Sequence, residues 1–119
     1  MPQGPFRLNC VADSAVGVGA VTPITGTAYT LTSADPGRYL QTTNGSAVAI
    51  TVPPDSDLAL PIGAMVTVEQ KGAGQFTWTA GAGVTLNSAS AKVASAAQFA
   101  VSSAVKVAAN TWTLMGNLA

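Results

Sequence analysis

The stretch Ala64–Asn87, AMVTVEQKGAGQFTWTAGAGVTLN, decides how this chain folds. Three short runs alternate apolar with polar residues: Val66/Val68, Phe76/Trp78 and Val84/Leu86, with Thr67, Glu69, Thr77 and Thr85 between them. Two glycine-rich turns, Lys71-Gly72-Ala73-Gly74 and Ala80-Gly81-Ala82-Gly83, separate the runs. A period of two with breakers at that spacing predicts three antiparallel strands, one face buried and one wet.

Upstream the same pattern continues. Tyr29/Leu31 alternate with Thr30/Thr32, and Ser33-Ala34-Asp35-Pro36-Gly37 is turn chemistry: Ser and Asp bond local backbone, Pro fixes φ and Gly accepts positive φ. Arg38–Thr43 predicts a strand with Leu40 and Thr42 on one side and Tyr39 and Gln41 on the other. Asn44-Gly45 is the strongest hairpin signal in the chain. Val48, Ile50 and Val52 make an inward row ended by Pro53-Pro54, and PPDSDLALPIG is a loop kept in water by Asp55 and Asp57. Downstream, the Ala-rich residues 88–110 suit a helix by propensity. They lack Glu–Lys pairs at helical spacing, however, and Phe99/Val101 and Val105/Val107 alternate, so strands are expected there with Ser102-Ser103 as a turn. Asn110 closes another turn, and Trp112/Leu114 alternate with Thr111/Thr113 in a last strand. No exact internal repeat is present.

The first 27 residues differ. Pro2, Pro5 and Pro23 resist helix interiors and central strands, which predicts an extended arm with an edge strand near Cys10–Ala12. Residues 1–27 are thus expected to be an N-terminal arm and docking segment, and residues 28–119 one all-β domain, an antiparallel β-sandwich or a jelly-roll-like fold. Pro5, Phe6, Arg7, Leu8 and Val11 are the candidate capsid or subunit contacts, since the apolar ones among them call for a partner surface.

Composition narrows the chemistry. Only 8% of the 119 residues are charged, against about 25% in ordinary soluble domains, and five Lys/Arg balance five Asp/Glu. Zero net charge gives no drive toward nucleic acid or an anionic membrane, and little repulsion between copies. Hydrophobic residues reach 48%, but many are alanine and aromatics are only 6%, so the core is thin. A thin core favours a subunit that gains stability by burying surface against copies of itself. The single cysteine excludes an intrachain disulfide. MPQGPFRLN lacks the basic-then-apolar layout of a signal peptide, and no apolar run reaches the ~18 residues of a membrane span.

With no histidine, Ser–His and Cys–His dyads and Cys/His metal clusters are excluded. No catalytic residue, cofactor or metal site is expected. Asp55 and Asp57 could bind calcium weakly, but a solvated loop explains them better. A hydrolase built on Asp55, Asp57 or Glu69 lacks an orienting second group. Lys71-Gly72-Ala73-Gly74 lacks the GK[ST] ending of a phosphate loop and reads as a β-turn. Trp78 and Trp112 could stack on a sugar, but their alternating rows make them core residues first. Arg38 beside Tyr39 reads as a surface arginine, and Cys10 as a small buried hydrophobe.

Taken together, YTLTSADPGRYLQTTNGSAVAITVPP, LPIGAMVTVEQKGAGQFTWTAGAGVTLNS and NTWTLMGNLA resemble a β module of tailed-phage virion proteins, found in head-decoration, head-fibre and tail-fibre proteins. The running order is similar: a Y-x-L strand, a Y-L strand, a V-x-I-x-VPP row, an IG-x-x-V strand, a G-A-G-Q turn, an AGAGVT segment and a closing TW-x-L-x-G. The resemblance covers about three-quarters of the chain, residues 28–119. It implies a non-enzymatic structural protein, often trimeric, and transfers no catalytic residues. The expectation is a homotrimeric capsid decoration or head-fibre protein on the outer shell. Its partners would be itself and the major capsid protein or another virion protein, and it would be made in the bacterial host's cytoplasm. The alternative is a tail-fibre or tailspike module that binds a host receptor or glycan.

Overall fold

The computed structural model describes residues 20–119. Nine strands carry the fold: β1 (Val21–Ile24), β2 (Ala28–Thr30), β3 (Tyr39–Thr42), β4 (Val48–Val52), β5 (Met65–Gln70), β6 (Phe76–Ala80), β7 (Thr85–Asn87), β8 (Val101–Ala108) and β9 (Thr111–Gly116). A 3₁₀ turn at Ala89–Ala91 is the only helical segment among the described residues. The described residues are therefore β-rich, with almost no helix.

From β1 to β6 the chain winds between two sheets. Odd-numbered strands enter a six-stranded sheet, ordered β1-β3-β5-β8-β9-β7, and even-numbered strands a three-stranded sheet, ordered β2-β4-β6. Within each sheet these successive turns stack parallel and in register: Val21 on Tyr39 on Thr67, and Ala28 on Ala49 on Thr77. In the six-stranded sheet one turn of the coil takes 18 residues and the next 28, which is why the sequence shows no repeat. Both sheets turn their apolar rows toward one core. Val66 and Val68 from one side meet Val48, Ile50, Val52, Phe76 and Trp78 from the other, all 2% exposed or less. Phe76 and Trp78 meet edge to face at 6.1 Å, a favoured aromatic geometry.

The corners stack as the strands do. Gly72 N–H donates to the Thr42 carbonyl at 2.8 Å, Gly74 N–H to the Asn44 carbonyl at 3.0 Å, and the Asn44 amide to the Thr25 carbonyl at 3.0 Å. A Cβ on Gly74 would lie 1.9 Å from the Ser46 carbonyl oxygen, so only glycine permits this approach of backbone to backbone.

The two ends of the coil differ. After β6, β8 adds antiparallel to β5, β9 antiparallel to β8, and β7 parallel to β9. Residues Val93 and Ser95 pair with the free edge of β6, and Ala119 N–H donates to Ala94. This closes the coil at the β5/β6 end. At the other end β1 is the edge strand among the described residues. The carbonyls of Ala20 and Ile24 accept from β3, so Pro23, at an alternate position, turns its nitrogen to the open edge. An edge proline has no N–H to offer a further strand.

Several expectations are corrected. The strands are not all antiparallel, as in an antiparallel β-sandwich or jelly roll: of seven strand pairs among the described residues, five are parallel. Asn44-Gly45 makes no hairpin, because β3 and β4 lie in different sheets. A type I′ hairpin needs positive φ at both central residues, and neither Asn44 nor Gly45 has it. Asn44 instead accepts from Ser46 N–H at 2.8 Å, a local Asx turn that carries the chain across to the facing sheet. Ser102-Ser103 is no turn but the interior of β8, an eight-residue strand whose register with β9 shifts only between Lys106 and Ala108. Its inward side chains are Ser102, Ala104 and Lys106, while Val105 is half-buried and Val107 exposed. Of the expected arm at 1–27, the described part supplies β1. Residues 1–19, with the expected strand near Cys10–Ala12, lie outside the described residues.

Candidate functional site

Among the described residues the polar groups sort into inward clusters that hold the fold and outward faces exposed to solvent. Lys106 heads the first kind. It is 4% exposed and donates to Asp55 Oδ1 at 2.7 Å and to the Leu60 carbonyl at 2.6 Å. Asn110 completes the clamp: its Oδ1 accepts from Asp55 N–H at 2.7 Å, and its own N–H donates to Asp55 Oδ2 at 3.3 Å. Asp55 therefore does not serve to keep its loop in water; it ties the loop to the β8–β9 turn. The hydrogen bond from Lys106 holds the Asp55 carboxyl below the ordinary carboxylate range, against an opposing effect of burial. Asp57 is exposed and takes no part.

Ser102 and Ser95 do similar work. Ser102 Oγ accepts the Trp78 indole N–H at 3.0 Å and donates to the Met115 carbonyl at 2.7 Å. Ser95 Oγ donates to Gln70 Oε1 at 2.5 Å and accepts from Phe76 N–H at 3.0 Å. Asp35 is fully buried and accepts from Tyr29 OH at 2.9 and 2.8 Å and from Thr32 N–H at 2.7 Å. Burial first, and the Asp35 hydrogen bond second, raise the Tyr29 phenol above its usual value. Buried polar groups with partners such as these are structural by default.

Trp78 and Trp112 are both 2% exposed, so neither presents a ring for a sugar. Tyr29 and Tyr39 are half-buried. Tyr39 OH and the Gln41 amide both donate to Glu69 Oε1, at 3.1 and 2.8 Å, on the outer face of the six-stranded sheet. Burial, then Glu69, raises the Tyr39 phenol. Among the described residues no group of three or more His, Cys, Asp or Glu could hold a metal ion. Among them, too, no helix is long and apolar enough to cross a membrane.

Two surface features remain. One is a shallow cleft of about 410 Å³ between the 3₁₀ turn and the end of β9, lined by Ser88, Ser90, Lys92, Leu114, Met115 and Leu118 among others. Its wall holds Ser90 at φ 57. It offers hydroxyls and one ammonium group but no acid–base pair. The other is the outer face of the six-stranded sheet, where Val21, Met65, Val107 and Met115 are 47–59% exposed. Its interior position for Ser103 was hidden from sequence reasoning by the Ser-Ser pair, which looks like a turn. The expected contacts Pro5, Phe6, Arg7, Leu8 and Val11 lie outside the described residues. Compared with known proteins, the chain matches no family model, no curated protein and no solved structure.

Proposed function

We propose that this protein is a non-enzymatic structural component of a tailed-phage virion. In this reading it is a homotrimeric decoration or head-fibre protein on the outer capsid surface, docked on the major capsid protein or another virion protein. The fold is read more finely as a short two-sheet parallel solenoid with an antiparallel cap. One observation carries the proposal. The motifs that resemble the phage β module fall, in order, along the coil and its cap: Y-x-L on and just after β2, Y-L on β3, V-x-I-x-V on β4, G-A-G-Q on the β5–β6 corner and TW-x-L on β9 of the cap.

Stacked corners and fully partnered buried polar groups suit a static brace better than a moving catalyst. The alternative, a tail-fibre module that grips a glycan by tryptophan stacking, draws no support from Trp78 and Trp112, which lie in the core. Native mass spectrometry and immunogold microscopy of virions test the proposal together. The expected results are a trimer at micromolar concentration and label on the head. A stable monomer, or label confined to the tail, overturns it.

A further inference from the structure

The outer face of the six-stranded sheet is large and almost without charge. Of the side chains that its strands turn outward, only Glu69 is charged, and Tyr39 and Gln41 on the neighbouring strand already donate to it. The centre is built from in-register rows. Val21, Tyr39, Thr67, Ser103 and Met115 cross the sheet in one row, and Met65, Val105 and Thr113 in the next. The Thr67 and Ser103 hydroxyls bond each other at 2.9 Å, so the polar groups of the centre partner one another. Of the other charges among the described residues, Asp35, Asp55 and Lys106 are engaged in the inward clusters, and the rest lie off these rows. Arg38 sits just before β3, Lys71 just after β5, Lys92 beyond the 3₁₀ turn and Asp57 in the β4–β5 loop. An apolar and hydroxyl-rich centre with charges at its margin is the anatomy of a protein–protein interface.

Phe99 strengthens the case. It is 63% exposed and held at φ 69, next to the edge of this face, where its N–H donates to Gln70 at 2.5 Å. An aromatic residue in the left-handed region costs backbone energy. Its ring stands in solvent beside the end of β5.

Size separates this face from the other one. Six strands at about 4.8 Å spacing, with their lengths, project roughly 500 Å², and the three-stranded sheet roughly 200 Å². Specific interfaces bury at least about 500 Å² on each partner, a size only the larger face reaches. The smaller sheet's outer face carries Ala28, Ala49 and the threonines Thr30, Thr51, Thr77 and Thr79, with no large apolar group.

We infer that the outer face of the six-stranded sheet is the surface that copies of this chain bury against one another. A second copy is the occupant that fits. Apart from Glu69, which Tyr39 and Gln41 already engage, the face carries no charge, so a copy of itself meets little like-charge repulsion, and the chain's zero net charge adds none at a distance. In a ring of three, the same face lines the axis. This rests on the self-assembly proposed above but names a face that reading does not supply.

The test places lysine at the centre of the face, as Ser103→Lys and Met65→Lys, with Thr51→Lys on the smaller sheet as control. Sedimentation equilibrium measures assembly, and circular dichroism checks the fold. The expected result is association weakened by about a hundredfold in both face variants and unchanged in the control. Met115→Cys and Thr79→Cys, each in a Cys10→Ser background, are then treated with a short bis-maleimide. This readout tolerates partial loss of stability. Covalent oligomers are expected from Met115→Cys only. Face variants that assemble like the parent, or cross-linking from Thr79→Cys alone, overturn the assignment of this face while leaving a trimeric parent and its virion role intact. A parent protein that stays monomeric overturns both.

Discussion

Lys106 and Asp55 stand 51 residues apart in the chain and 2.7 Å apart in space. Their burial is unequal. Lys106 is 4% exposed, and the Asp55 side chain is 29% exposed. Losing either partner is therefore not symmetrical. Asp55→Asn leaves a buried ammonium without its counter-charge, whereas Lys106→Met leaves a carboxylate that water can still reach. Asp55→Asn is expected to lower the melting temperature by more than Lys106→Met. The double variant is expected to recover part of the loss. Thermal melts of the three variants, compared as a double-mutant cycle, check this.

The same residues set a pH window. The Asp55 pKa is lowered in the folded state, by the Lys106 hydrogen bond first. Its contribution is present above the ordinary value of 3.8 and is lost as the pH falls through the lowered folded value. The Tyr29 and Tyr39 pKa values are raised, by burial first. Their contribution is present below 10.0 and is lost as the pH rises beyond it. Stability is thus expected to be flat between these limits as far as these groups govern it. The acid limb should shrink in Asp55→Asn and the alkaline limb in Tyr29→Phe. Denaturant midpoints across pH are the measurement.

Tyr29→Phe also acts at neutral pH. It removes both hydroxyl contacts to Asp35 and leaves Thr32 N–H as the donor to that buried carboxyl. The expected cost is about 1–3 kcal/mol, the penalty for an unsatisfied buried acceptor. Urea unfolding measures it.

Ser102→Ala orphans the buried Trp78 indole N–H and removes the hydroxyl contact to the Met115 carbonyl. It should cost about 1–3 kcal/mol. Ser103→Ala, its neighbour on the outer face, loses one half-exposed hydroxyl contact and should cost under about 1 kcal/mol. Equal losses in denaturant unfolding would remove the distinction drawn between the two serines.

Gly74→Ala drives a Cβ to 1.9 Å from the Ser46 carbonyl oxygen, and Gly72→Ala to 2.5 Å from that of Asn44. Each should cost at least about 1–3 kcal/mol, because stacked backbone has nowhere to yield. A Cβ on Gly45 meets nothing within 4 Å, and its φ is not positive. Gly45→Ala is therefore expected to be neutral, or stabilising by about 0.4–1 kcal/mol through the unfolded chain. The stronger turn signal in the sequence thus belongs to the more replaceable glycine.

Much of the inner surface was legible in the chain. The rows Val48/Ile50/Val52, Val66/Val68, Phe76/Trp78 and Trp112/Leu114 are buried as their period of two predicts. Alternation reports only which side chains share a face, and apolar rows report it most clearly. β8 defeated it because its inward positions are Ser102, Ala104 and Lys106. Nothing within that segment shows that an indole, a carbonyl and a distant carboxylate stand ready to receive them.

The amino-acid sequence by itself determined a β-rich chain, its inward apolar rows, its glycine corners and its lack of histidine chemistry. The tertiary structure alone decided which strands are neighbours and whether they run parallel. A pleated strand has the same alternation in either direction, so its side chains carry no record of its partner. That record lies in contacts between residues far apart in sequence: Gly72 with Thr42, Asn44 with Thr25 and Lys106 with Asp55.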